Sequence, residues 1–176
     1  CDYQLIDTEE KRTKIIQKLL TSKILSLDTE TTGTEPMDAE LVGMSFSIAE
    51  NEAFYVPVPA DQEEALKIVN EFRPVFENEN SLKVGQNIKY DMIVLQNYGV
   101  QVKGPLFDTM IAHYVLQPEL RHGMDYLAEI YLRYQTIHID ELIGPKGKNQ
   151  KNMRDLAPKD VYRYACEDAD VTPVSY

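Results

Sequence analysis

Apolar positions change period several times along this chain, and each change predicts an element. Residues 3–6 read as a short strand, after which Ile15, Ile16, Leu19 and Leu20 recur at helical spacing. Asp7, with Glu10 three residues on, predicts a capping box at the start of that helix. The apolar run from Ile24 predicts a second strand leading into Asp28-Thr29-Glu30. Residues 41–48 and 53–58 predict two more strands across the polar turn Glu50-Asn51-Glu52, and so short a turn requires them to be antiparallel. Helical spacing returns at Ala65, Leu66, Val69 and Phe72, ahead of Pro74. Residues 82–85 form a brief strand that feeds a helix carrying Ile88, Met92, Leu95 and Tyr98. Beyond Asp108 the pattern is mainly helical, with Asp108 and Asp125 near helix starts, a loop centred on Gly144-Pro145-Lys146-Gly147, and a last helix after Pro158. Strands that first meander and then alternate with helices predict an α/β fold, a mixed β-sheet flanked by α-helices. Neither an internal repeat nor a low-complexity linker interrupts residues 1–176, so a single domain is expected.

Composition narrows the setting. A chain of 176 residues with 43% hydrophobic content can bury a substantial core. Eighteen basic against 29 acidic residues give a net charge of −11, which argues against a broad basic surface for nucleic acid. Cys1 and Cys166 lie near opposite ends without paired spacing, which indicates neither a zinc site nor a disulfide framework. A reduced, cytoplasmic monomer is expected. No membrane partner is expected either, because no apolar run approaches spanning length. The start at Cys1 and the abrupt stop at Tyr176 lead to the further expectation of a piece from a longer polypeptide.

Three segments offer chemistry. On a strand, Asp28 and Glu30 share a face, and two adjacent carboxylates at a strand end suit a hard divalent cation, with Gly33 turning the chain away. In Val84-Gly85-Gln86-Asn87-Ile88-Lys89-Tyr90-Asp91, a helix opening near Asn87 places Asp91 one turn in, on the same face. Gln86, Asn87 and Tyr90 add amide and aromatic groups suited to a phosphate, sugar or base. In Tyr164-Ala165-Cys166-Glu167-Asp168-Ala169-Asp170, Tyr164 and Asp168 are four apart and share a helical face, whereas Glu167 and Asp170 project elsewhere. Each segment alone also fits a plain reading: solvated acids, a capped helix with one exposed acid, a surface Tyr/Asp pair. Together, four carboxylates from a strand end and two helices could hold two divalent ions, Mg²⁺ or Mn²⁺, in the arrangement used for in-line displacement at phosphorus. Tyr164 would then orient the attacking water, since an ordinary phenol pKa near 10 makes it a poor base.

These three segments resemble, in order, the exonuclease motifs of the tyrosine-bearing branch of the DEDD superfamily, and most closely the proofreading 3′-5′ exonuclease domain of bacterial DNA polymerase I. Asn97-Tyr98-Gly99-Val100, Phe107-Asp108-Thr109-Met110, Arg121-His122-Gly123-Met124-Asp125 and Gly147-Lys148-Asn149-Gln150 also resemble that domain, so the likeness covers almost the whole chain. It implies a ribonuclease H-like fold, two metal ions and hydrolysis of the last phosphodiester of a single-stranded DNA 3′ end, releasing nucleoside monophosphates. It also implies a polymerase domain in the same parent chain. By position, Asp28, Glu30, Asp91 and Asp168 match the metal-linked carboxylates and Tyr164 the water-orienting tyrosine. Thr31, Gln86, Asn87, Tyr90 and Arg121 match positions that hold the strand near its terminus.

Thr34 and Ile139 depart from the pattern, standing where relatives can carry a wedging leucine and a stacking aromatic. Isoleucine lacks an aromatic face, and base stacking can contribute on the order of 1 to 3 kcal/mol. Pro173 is expected to disrupt a continuing last helix. His113, His122 and His138 lack tight metal spacing and read as structural or surface groups. Gly144-Pro145-Lys146-Gly147-Lys148 lacks the spacing of a nucleotide P-loop. With Lys151 and Arg154 it forms a basic patch that fits either DNA contact or a solvated loop. Two other functions remain open: a ribonuclease D-like exoribonuclease, and a noncatalytic strand-binding or scaffold domain, although the latter would be expected to lack a carboxylate.

Overall fold

The computed structural model describes residues 1–174. Six strands, β1 (Asp2–Leu5), β2 (Ile24–Thr31), β3 (Leu41–Ala49), β4 (Glu52–Pro57), β5 (Leu82–Gly85) and β6 (Leu106–Asp108), form one sheet in the order β1-β4-β3-β2-β5-β6. As the short turn requires, β3 and β4 are antiparallel, and so are β2 and β3. The pairs β1–β4, β2–β5 and β5–β6 are parallel. The helices are α1 (Glu9–Leu20), α2 (Gln62–Glu71), α3 (Arg73–Phe76), α4 (Ile88–Asn97), α5 (Thr109–Leu116), α6 (Met124–Leu127), α7 (Ile139–Ile143) and α8 (Pro158–Val174). A π-helical turn (Ala128–Leu132) follows α6, and a 3-10 turn (Met153–Asp155) precedes α8.

The alternation of side chains along β2 sorts the molecule into layers. Leu25 and Leu27 join Met44 and Phe46 in the larger core, which takes in Leu19 of α1, Val69 of α2, Phe76 of α3 and Leu95 of α4. Phe46 stacks on Phe72 at 5.3 Å between ring centroids. The even positions Ser26, Asp28 and Glu30 face the opposite layer. There α8 crosses β2, β3 and β4 and packs Val161, Ala165 and Cys166 against Val42 and Tyr55. With both faces covered, residues 41–47 of β3 are buried throughout, as expected of a strand between two layers. Gly43, the register partner of Glu30, makes room for Tyr55: a Cβ there would lie 2.2 Å from the Tyr55 hydroxyl oxygen.

Several local expectations shift. Thr8, not Asp7, caps α1 by accepting from the Lys11 amide at 3.2 Å, while Asp7 pairs with the Lys11 ammonium at 2.7 Å. The helix starts one residue later than the capping box requires, so Glu10 instead meets Lys14 one turn on. The strand β6 has too few residues to show a period. α8 includes Pro173 and is described to Val174, and the expected disruption of a continuing helix lies outside the described residues. Among the described residues no helix is long and apolar enough to cross a membrane.

Candidate active site

The two-residue spacing on β2 turns Asp28 and Glu30 toward α8, where Asp168 meets them. Carboxylate oxygens of the three residues lie within 4.8 Å of one another. The flanking acids of α8 anchor the helix. Glu167 accepts from the Tyr134 hydroxyl and the Ile137 amide, both at 2.6 Å. Asp170 accepts from the Tyr3 hydroxyl and the Asn51 amide, both at 2.8 Å. These charge-assisted bonds fix the rotation of α8 and thereby aim Asp168 and Tyr164 at β2.

Asp91 arrives from the other layer. β5 pairs with β2 only as far as Ser26, which leaves the following edge of β2 open. Asp91, in the first turn of α4, uses that opening: its Oδ1 accepts from the Thr29 amide at 2.9 Å and the Thr29 hydroxyl at 2.6 Å. It therefore stands beside the three clustered carboxylates without joining their tight group. Asp108 sets the start of α4, accepting from the amides of Asn87 and Ile88 at 3.1 and 2.9 Å while also capping α5 through Met110 at 3.0 Å. Asn87, in the left-handed region at φ 57°, makes no cap bond with its own side chain.

The donor set fits a divalent cation. Among the described residues no ion pair engages any of the four carboxylates, and Glu30 Oε1 is buried without a hydrogen-bond partner. Burial pushes the Asp28 carboxyl up to about 7. Burial, then the charges of Asp28 and Asp91, hold Glu30 well above the carboxylate range. Asp91 is raised by burial and then by Asp28, against the lowering effect of the Thr29 bonds. Asp168 is raised by burial, then by Asp28 and Glu30. Clustered, desolvated carboxylates with an orphaned oxygen are costly without a compensating charge, and hard oxygen donors suit Mg²⁺ or Mn²⁺. Tyr164 is raised by burial, then by Asp168, Glu30 and Asp28, so its hydroxyl stays protonated at neutral pH.

Glu30 also lines a cleft of about 750 Å³. On one side lie Thr31 at the end of β2 and the turn that follows it, including Thr34, together with Asn87 and Tyr90. The Thr31 hydroxyl donates to the Gly33 carbonyl at 2.9 Å, and the Tyr90 hydroxyl bonds to both Thr31 and Gly33, so these two side chains brace the turn. The other side is α7 with its following loop, from which Ile139 and Lys151 face the cleft. Gln86 and Arg121 are not among the lining residues. The Gln86 amide donates to the His122 carbonyl at 2.7 Å and accepts from Thr109, while Arg121 is exposed on the connection between α5 and α6. Arg154 leaves the basic patch: its guanidinium donates to the carbonyls of Val58 and Leu41. Sequence reasoning missed Thr29, which steadies Asp91, and Asn152, whose amide donates to the Thr32 carbonyl at 3.2 Å and joins the cleft's two sides. Neither carries a local signal, because each role depends on a partner more than 60 residues away.

Residues 3–173 match the family described as 3′-5′ exonuclease. DNA polymerase I of Pseudomonas aeruginosa is 36% identical over 180 residues, an alignment spanning 97% of this chain and 20% of the relative. Among solved structures, ribonuclease D of Trypanosoma brucei superposes with a TM-score of 0.77 at 18% identity, covering 99% of this chain and 63% of the other. NrnC of Brucella melitensis with bound Mg²⁺ superposes at 0.69 and 18% identity, covering 99% and 77%. At such identities these two structures establish the fold, which is the ribonuclease H-like one expected from the sequence.

Proposed function

This chain belongs to the 3′-5′ exonuclease family represented in DNA polymerase I, and we propose accordingly that it removes nucleotides from single-stranded or frayed DNA 3′ ends by metal-assisted hydrolysis. The observation that carries the mechanism is the cluster of Asp28, Glu30 and Asp168, with oxygens within 4.8 Å and no compensating cation among the described residues. In this reading those three carboxylates would hold one divalent ion, and Asp91, beside them, would help to hold a second. Two such ions, when bound, supply an activated water and offset the charge that develops on the leaving 3′ oxygen.

The chain's own groups do the positioning. Asp28 and Glu30 are fixed by the β2 ladder, and Asp168 by the anchoring of Glu167 and Asp170 on either side of it. The Thr29 amide and hydroxyl both donate to Oδ1 of Asp91 and so fix that carboxylate beside the site. Tyr164, kept in its neutral form by its surroundings, donates or accepts a hydrogen bond to aim the water and does not abstract its proton. Asn87, Tyr90 and Thr31 line the cleft, which would receive the unpaired terminus.

The chain spans one fifth of the DNA polymerase I it matches, and we infer that it edits for a polymerase domain in the same polypeptide. A 5′-labelled oligonucleotide of each sugar type tests the reading. Laddered shortening of the DNA strand in Mg²⁺, abolished by EDTA, is expected. Preferential shortening of the RNA strand would move the chain to ribonuclease D-like work, and no shortening of either would leave a noncatalytic domain.

A further inference from the structure

We propose that Lys146 and Lys151 form a phosphate-binding rail on the α7 side of the cleft, holding backbone phosphates of the single strand upstream of the linkage that is cut. The inference rests on the exonuclease reading above and deepens it by naming how a domain of net charge −11 retains a polyanion. Both lysines line the same cleft as Glu30. Neither makes an ion pair among the described residues, in contrast to Lys11, Lys14 and Lys18, each matched to an acid. Arg154 is committed to backbone carbonyls, and Lys148, in the same loop, does not line the cleft.

The loop that carries the two lysines is held in place. The Lys151 amide donates to the Ile143 carbonyl at 2.8 Å, and the Gln150 amide group donates to the Gly144 carbonyl at 3.1 Å. Asn152 then ties the loop to Thr32 and caps the 3-10 turn by accepting from the Arg154 amide at 2.9 Å. Placed across the cleft from Thr31 and Tyr90, the ammonium groups can offset phosphate charge without ion-pairing the carboxylates that must stay available to metal. Lysine suits such a rail, because a flexible point charge contacts phosphates without reading bases and tolerates a strand that must advance by one nucleotide after each cut.

The test is the salt dependence of strand binding, measured by fluorescence anisotropy of a labelled oligothymidylate in Ca²⁺ with the 176-residue chain. Losing two phosphate contacts should lower the slope of log K against log salt by about 1.4 in the Lys146→Ala/Lys151→Ala chain. Binding should weaken several-fold at low salt, with the Mg²⁺-induced rise in Tm unchanged. Lys148→Ala, altering the same loop outside the cleft, should leave the slope as it is. An unchanged slope in the double variant, or an equal fall in Lys148→Ala, would overturn the rail. Wild-type protein that neither binds the strand nor cuts it would instead remove the exonuclease reading and the rail with it, an outcome visible without any variant.

Discussion

Replacing Asp168 with asparagine should make the metal-free protein more stable while disabling it. The substitution preserves shape, removes one charge from a group of three in which Glu30 and Asp168 are buried and Asp28 half-buried, and supplies an amide that can donate to Asp28 or Glu30. At the 4.8 Å limit within which these oxygens lie, a like-charge pair costs about 3.5 kcal/mol at an effective dielectric constant near 20. Part of that repulsion is already relieved, because burial raises all three carboxyls, and neighbouring charge raises Glu30 and Asp168 further, which favours protonation. A net gain of about 2 kcal/mol at pH 8 remains, equivalent to roughly 4–8 °C in Tm for a chain of this size. Mg²⁺ should reverse the order. A ligand at a hundred times its Kd adds about 2.7 kcal/mol to the protein that binds it, and the variant should lose most of that increment. Hydrolysis should fall by roughly 10²–10³ or more, as when other preorganised electrostatic groups are removed. Differential scanning fluorimetry in EDTA and in Mg²⁺, paired with a gel assay on a labelled single strand, reads all three effects. A folded Asp168→Asn protein that is less stable than wild type in EDTA, or that cuts at the wild-type rate, would overturn this prediction.

The same carboxyls give a pH signature. Because the folded-state value of Asp28 is raised to about 7, its stabilising contribution is fully present below the ordinary carboxylate range and is lost as pH rises through 7. The metal-free chain should therefore be less stable, and melt lower, at pH 8 than at pH 5.5, with Asp28 losing about 1.4 kcal/mol per pH unit until its value near 7 is passed. Mg²⁺ should flatten the trend, and a Tm in EDTA that climbs over this interval would contradict it. Tyr164→Phe should slow hydrolysis by roughly 10- to 100-fold, less than Asp168→Asn, since it deletes an aiming hydroxyl and no metal ligand. Equal damage under saturating Mn²⁺ would point to tyrosinate as the base. Gly43→Ala should destabilise the fold by about 1–3 kcal/mol, because the added methyl meets the rigid Tyr55 ring. An unchanged midpoint in urea would show that the ring moves aside freely.

Parts of the site governed by local periodicity were legible in the sequence. Asp28 and Glu30 needed only the two-residue repeat of a strand, and Tyr164 and Asp168 only the four-residue repeat of a helix. The same repeats turned Glu167 and Asp170 away, where they serve as anchors for α8. Roles that depend on which layers meet were not legible. Asp91 shares a face with Asn87, but nothing local says that α4 lies on the opposite side of the sheet from α8, or that β5 stops short and opens the Thr29 amide to it. Asp108 reads as a helix cap, yet its second role at α4 depends on the pairing of β6 with β5. Gln86 and Arg154 show the converse, since polar groups that suit a ligand are committed to carbonyls brought near by the fold. The brief β6 is a strand only because β5 offers it an edge.

Whether the carboxylates gathered from β2, α4 and α8 exist to hold two divalent ions can be decided by anomalous diffraction from crystals soaked in Mn²⁺. One peak enclosed by Asp28, Glu30 and Asp168, and a second beside Asp91, is the expected result. An empty cluster at saturating Mn²⁺ and neutral pH, or ions bound elsewhere with these carboxyls unchanged, would rule the two-ion centre out.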